Sequence, residues 1–304
     1  MSLIKKKEPN IPDLIQTTIP NTIIDGTTNN REFIKDKLID KGGFSYVYKL
    51  KDNITNEIFA CKVLDHTKRW KETMNEIKIH KSLSHTNIIK VINVLPIDNY
   101  NLLIMDYCHN KSLFHYLNRK KRINKCPFIS EKRSKHFFKQ STCGLNYIHN
   151  KRIIHNDIKL GNLFLTRNSE IKIGDFGLST QFYSIIDKSD IDYKICGTPN
   201  FASPENVEQS DKGKNKGHSY PSDIWALGAC LYNMLFGIAP FETKEKSKKI
   251  TFKRISDVYY IFPDKPCISE NAKSIIESIL QKDPLDRIDI CDILIHPFLN
   301  DDSF

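Results

Sequence analysis

The chain has 304 residues, 39 % apolar and 27 % charged, which is enough to bury a core and too apolar for a disordered protein. Lysine and arginine outnumber aspartate and glutamate 46 to 36, a net charge of +10 that favours acidic partners without choosing among them. No apolar run reaches the roughly 20 residues of a membrane span, and the first residues lack the apolar stretch of a secretory leader, so neither a membrane-spanning nor a secreted protein is expected.

Residues 1–18, with Pro9, Pro12 and the run Lys5–Lys7, show no periodicity and read as a tail; the lysines fit a nuclear-import signal or a plain solvated end. From Phe33 to Met105 the pattern is mostly short strands: 47–50, 58–63 and 102–105, with turn chemistry at Asp52-Asn53 and Asp98-Asn99. One helix interrupts them over about 70–83, with Met74, Ile77 and Leu83 along one face. Beyond Cys108 helical patterns dominate, at 131–149, 222–236 and 271–281, separated by loops rich in Gly, Pro and Asp. The basic runs Arg119–Arg122 and Lys212–Lys216 read as exposed insertions. Eight cysteines (Cys61, Cys108, Cys126, Cys143, Cys196, Cys230, Cys267 and Cys291) are scattered singly, which suits a reducing compartment better than a disulfide framework or a zinc site.

Chemistry concentrates in His155-Asn156-Asp157-Ile158-Lys159-Leu160-Gly161-Asn162 and, after a strand-like Ile171-Lys172-Ile173, in Asp175-Phe176-Gly177. Phosphoryl transfer needs a positioned nucleophile and neutralised triphosphate charge, and little covalent chemistry from the protein. An Asp facing a hydroxyl, a Lys two residues on, and an Asn and a later Asp for Mg²⁺ supply those parts at the spacing of the protein-kinase signature. Lys62 in Phe59-Ala60-Cys61-Lys62, Glu76 on the helix, Gly197-Thr198-Pro199, Ser203-Pro204-Glu205, Asp223 and Arg287 follow in the same order as in that signature.

The strings Lys41-Gly42-Gly43-Phe44, Glu76–Leu83, Lys159–Leu165, Ile173–Leu178 and Cys196–Asn200 resemble the polo-like kinases, and the resemblance covers about residues 19–299. The polo-box region that follows the catalytic domain in that family has no counterpart in these residues. The resemblance implies an α+β, two-lobed kinase fold: a tail over 1–18, a small antiparallel lobe with one main helix over 19–105, a hinge and larger helical lobe over 106–299, and a tail over 300–304.

It further implies transfer of the γ-phosphoryl group of Mg²⁺-ATP to protein Ser or Thr, in cell-cycle or centrosomal work, at cytoplasmic, nuclear or spindle sites. Asp157, Lys159, Lys62 and Glu76 are the implied catalytic set, and Asn162 and Asp175 the Mg²⁺ ligands. Nucleotide contacts fall to Ile39, Asp40, Lys41, Gly42, Gly43, Phe44, Ser45, Tyr46 and Val47 of the phosphate loop, and to Ala60 and Lys62. Met105 is the gatekeeper, Asp106-Tyr107-Cys108 the hinge and Phe164 the adenine floor. Asp223 is expected to brace the catalytic loop and Arg287 to pair with Glu205. Protein substrates are expected, with an acidic residue shortly before the target; nucleic acid, membrane and a second copy of the chain are not.

Three positions depart from the family pattern. Asp40 replaces the first phosphate-loop glycine and adds a like charge near the triphosphate. Asn156 replaces the Arg beside the catalytic Asp, and Lys194 the regulatory Thr, so the receiver and the acceptor of an activating phosphate are both missing. These changes leave two readings, an active kinase needing no activation-segment phosphate, with Lys194 paired to Asp187, Asp190 or Asp192, and a nucleotide-binding pseudokinase scaffold.

Overall fold

A computed structural model describes residues 19–26, 31–42, 45–67, 69–125, 127–182, 199–212, 219–243, 245 and 247–300. They group into two compact units, one of residues up to Thr73 with Val91–Tyr107, the other of Met74–Lys90 with the chain from Cys108 on.

In the first unit, β1 (Thr22–Asp25), β2 (Arg31–Lys41), β3 (Ser45–Asp52), β4 (Ile58–Asp65), β5 (Val91–Ile97) and β6 (Tyr100–Asp106) build one antiparallel sheet in the order β1-β2-β3-β4-β6-β5. Alternation decides its faces. Tyr46, Tyr48, Leu50, Phe59, Cys61, Val63, Leu102 and Ile104 turn to one side and pack with Ile19, Ile23 and Phe33 as an apolar core. The expected turn at Asp52 closes on its buried carboxylate, which accepts from Ile54 N at 2.9 Å and Thr55 N at 2.8 Å and pairs with Arg31.

The second unit is mostly helical, so the α+β division is the one expected. Helix α1 (Trp70–Lys81) begins in the first unit and continues into the second; α2 (Leu113–Asn124), α3 (Glu131–Asn150), α4 (Pro204–Lys212), α5 (Tyr220–Phe236), α6 (Lys248–Ser256), α7 (Glu270–Ile279), α8 (Ile290–Ile295) and α9 (Pro297–Asn300) follow. Helix α5 is buried nearly all round, and Gly237 ends it at φ 75°, a conformation that favours glycine. Its Gly228 admits α7 closely, since a Cβ there would lie 2.3 Å from Ile279 Cγ2.

Helix α1 differs from expectation in two ways. It stops at Lys81, because Ser82 Oγ donates to Ile79 O and Leu83 N turns back to His80 O, tightening the last turn. Met74 stays 37 % exposed; Ile77, Ile79 and Leu83 supply the buried face. Among the described residues no helix is long and apolar enough to cross a membrane.

Candidate active site

Two short antiparallel strand pairs in the second unit hold the loops where the chemistry-bearing residues lie. Strand β7 (Ile153–Ile154) pairs with β10 (Thr180–Gln181), and β8 (Leu163–Leu165) with β9 (Ile171–Ile173). Residues 155–162 connect β7 to β8. Asp157 is only 8 % exposed, and its Oδ2 accepts from Lys159 Nζ at 2.6 Å and Asn162 Nδ2 at 2.9 Å. Asn162 Nδ2 also donates to Asp157 O at 2.8 Å. Among the described residues Oδ1 of Asp157 and Oδ1 of Asn162 take no hydrogen bond, so each is an oxygen acceptor in reserve.

Asp223, fully buried at the start of α5, accounts for the loop's shape. Its Oδ2 accepts from His155 N at 2.8 Å and His149 Nε2 at 2.9 Å, and its Oδ1 from Asn156 N at 2.9 Å. Burial alone would raise its pKa; the hydrogen bond and charge of His149, with His155 behind them, outweigh that and hold it below the ordinary carboxylate value.

Asp175 follows β9 at φ 66° and is exposed, while the next residue, Phe176, is fully buried between the rings of His80 (4.5 Å) and His155 (5.0 Å). Burying the Phe forces the adjacent Asp outward. A Cβ at Gly177 would lie 3.2 Å from Glu76 Oε2 and 3.5 Å from Asp175 Oδ1, so both carboxylates flank that glycine. His155 is the hub: Nδ1 accepts from Asp157 N at 3.3 Å, and Nε2 bonds Gly174 O at 3.3 Å, which places the ring proton on Nε2. Phe164 sits under Gly174, its Cε2 3.1 Å from where a Cβ would be, and Cys108 is buried in the same unit.

In the first unit, register sets the remaining candidates. Val47 faces Lys62 and Asp40, Ala60 faces Met105, and Lys62 faces Leu103, so Val47, Ala60, Lys62, Met105 and Asp40 share the sheet face opposite the apolar core. Asp40 is exposed and its Oδ1 accepts from Lys41 N at 2.8 Å; the Lys41 ammonium lies over the Tyr46 ring, 5.7 Å from its centroid. Gly42 N donates to Ser45 O at 2.8 Å and closes the hairpin. Ile39 is half-buried in β2, and Asp106 ends β6; Gly43 and Phe44 lie outside the described residues.

Residues 33–299 match the protein kinase domain family. The chain belongs to the protein kinases. This kinase domain is 36 % identical over 299 residues to a probable serine/threonine-protein kinase PLK of Dictyostelium discoideum, covering 97 % of the chain and 28 % of the relative. It is 36 % identical over 297 residues to the cell cycle serine/threonine-protein kinase CDC5/MSD2 of Saccharomyces cerevisiae, covering 95 % and 39 %. A mouse serine/threonine-protein kinase PLK2 is 33 % identical over 285 residues, covering 92 % and 39 %. The polo-like resemblance read from the motifs therefore extends over most of the chain, and the chain spans well under half the length of these curated relatives.

Other landmarks of the kinase domain have clear partners. Arg287 forks onto Glu205, Nη1 to Oε1 at 3.0 Å and Nη2 to Oε2 at 3.2 Å, and donates to Pro221 O at 2.6 Å and Gln281 O at 3.0 Å. Lys194, Thr198 and the acids proposed to pair with Lys194 lie outside the described residues. The sequence reading missed two contributors. His149 shares Asp223, and nothing marks a helix-end histidine as the partner of a carboxylate 74 positions on. Asn156, read only as a lost arginine, donates through Nδ2 to Leu178 O at 2.9 Å and Thr180 Oγ1 at 3.2 Å, at φ 65°. Asparagine is among the few non-glycine residues that tolerate this conformation, which is the signal that was available.

Proposed function

We propose that this chain is an active serine/threonine kinase that transfers the γ-phosphoryl group of Mg²⁺-ATP to proteins, in cell-cycle work as the name of its yeast relative CDC5/MSD2 states. The observation that carries the reading is the divided use of the Asp157 carboxylate: Oδ2 is held by two donors and Oδ1 is left to accept a hydroxyl proton. Lys159, bonded to Oδ2, keeps the carboxylate oriented and places positive charge beside the transferring group. The hydroxyl oxygen then forms a bond to the γ-phosphorus as the bond to the β-bridging oxygen breaks, releasing ADP.

Hard oxygen donors suit Mg²⁺, and the Asn162 amide oxygen with the exposed Asp175 carboxylate are donors of that class. Mg²⁺ held there would neutralise charge on the phosphates. By family resemblance we assign Lys62 to the α- and β-phosphates and Glu76 to the same catalytic set, and we assign Val47, Ala60, Met105, Asp106, Cys108 and Phe164 to adenine. We further assign a preference for an acidic residue shortly before the target Ser or Thr, and action in the cytoplasm or nucleus.

Incubation with Mg²⁺-ATP and dephosphorylated casein, with sites located by mass spectrometry, tests the reading. Phosphoserine and phosphothreonine are expected; phosphotyrosine alone, or no transfer, contradicts it.

Two further results follow from the departures. Asp40 shares a sheet face with Lys62 and its carboxylate is solvent-screened, so Asp40→Gly is expected to lower the KM for ATP about two- to fivefold. An unchanged or higher KM means the residue serves the hairpin. Asn156 ties the catalytic loop to Leu178 and Thr180, and β10 pairs with β7, with no phosphate needed. Exhaustive phosphatase treatment, checked by mass spectrometry, is therefore expected to leave kcat unchanged. A tenfold fall, about 1.4 kcal/mol, contradicts this and points to Ser184, Ser189 or Tyr193.

A further inference from the structure

The net charge of +10 is not spread over the chain. Residues 107–156 hold twelve Lys or Arg and a single acid, Glu131, while the rest of the chain balances 34 basic against 35 acidic residues. That single acid is spent, since its oxygens accept from Ser269 N at 2.8 Å and from Ser269 Oγ. Arg119, Lys121, Arg122 and Lys125, on α2 and just past its end, are exposed, as are Lys132 and Arg133 at the start of α3. Tyr116 joins the two groups, with Arg119 Cζ 5.7 Å and Arg133 Cζ 5.3 Å from its ring centroid. Among the described residues Lys121, Arg122, Lys125 and Lys132 enter no ion pair. The balanced remainder means this patch, rather than overall charge, sets the local field.

We propose that this patch docks an acidic polypeptide segment of the kinase's protein substrate. The inference rests on the kinase reading above and adds a second contact surface to it. Position favours a polypeptide over other polyanions. Helix α2 starts at the catalytic loop, where Phe114 N donates to Leu160 O at 3.1 Å, three residues from Asp157. Eight residues of helix carry the strip to Arg122, about 12 Å at ~1.5 Å per residue. An extended peptide covers that length in about four residues, so a segment only a few residues from the target hydroxyl is long enough to follow α2 from its start to Arg122. Tyr116 is half-buried beneath two guanidinium groups, which leaves it poorly placed to stack on nucleic-acid bases.

The test compares a short peptide bearing one acceptor Ser with versions carrying a five-glutamate block four to eight residues before or after it. At low salt one block position is expected to lower KM about tenfold, the sum of several screened pairs, and 0.5 M NaCl to erase the gain. Charge reversal of Arg119, Lys121, Arg122 and Lys125 to Glu should remove the gain and leave kcat/KM for the short peptide unchanged. Equal KM values for all peptides, or a gain that survives charge reversal, overturns the proposal. Fluorescence anisotropy of the labelled acidic peptide reads binding without turnover: tight binding by the wild type lost in the variant is expected even if no peptide is phosphorylated, a result that would strike the kinase reading alone. Binding of single-stranded RNA or anionic vesicles to the patch in preference to the acidic peptide would reassign the surface.

Discussion

Asp157→Asn is expected to lower kcat at least ~10²-fold with little change in the KM for ATP, in line with the loss of a general base. The substitution is nearly isosteric, so the reason is chemical. The amide has one acceptor oxygen where the carboxylate has two. If that oxygen stays with Lys159 and Asn162, an NH₂ group faces the substrate hydroxyl, and a donor cannot take its proton. If the amide flips, Lys159 and the Asn162 side chain face donors instead and the loop loosens. Either way the negative charge facing Lys159 is gone. Near-wild-type turnover would remove Asp157 from the mechanism.

The second large effect is structural in origin and catalytic in outcome. Asp223→Ala leaves the amides of His155 and Asn156 and the ring of His149 without their shared acceptor, in a buried setting. Unsatisfied buried donors cost ~1–3 kcal/mol each, so a loss of about 3 kcal/mol and a fall in Tm of roughly 6–12 °C are expected. The kcat should fall too, because the amides that shape the loop before Asp157 are released. The pH dependence carries a definite sign. The folded-state pKa of Asp223 is depressed, so its contribution is fully present above the unfolded carboxylate value near 4 and is lost as pH falls through the folded value. The Tm gap between wild type and variant, followed by differential scanning calorimetry, should hold at neutral pH and narrow below about pH 4. A gap that widens on acidification contradicts the assignment.

Much of this arrangement was legible in the sequence where a residue's role depends on local spacing. Strand alternation in β3, β4 and β6 puts Lys62 and Ala60 on the face away from the core, and the offset of Asn162 from Asp157 lets one side chain reach the other. The long-range partners of Asp223 and Arg287 were legible only through resemblance, since pairs 68 and 82 positions apart leave no local trace. Where the reading of single residues failed, tertiary packing decided. Met74 has the right helical spacing for the core, yet the buried stripe of α1 runs through Thr73, Ile77 and Ile79 instead. The role of His80 against Phe176 was invisible, because a histidine in a polar helix gives no hint of the ring it will meet. Asn156 shows the reverse error: comparison with a family pattern registered what was missing and overlooked what the new side chain bonds.

An active kinase transfers phosphate, whereas a pseudokinase scaffold holds nucleotide and transfers none. The most direct measurement follows label from γ-³²P-ATP into a peptide bearing one Ser, with the same peptide carrying Ala in its place as the blank and nucleotide binding measured in parallel. Label in the Ser peptide alone, growing in proportion to enzyme, is the predicted result. Nucleotide bound with a measurable Kd while the Ser and Ala peptides stay equally unlabelled would contradict the account and leave the scaffold reading standing.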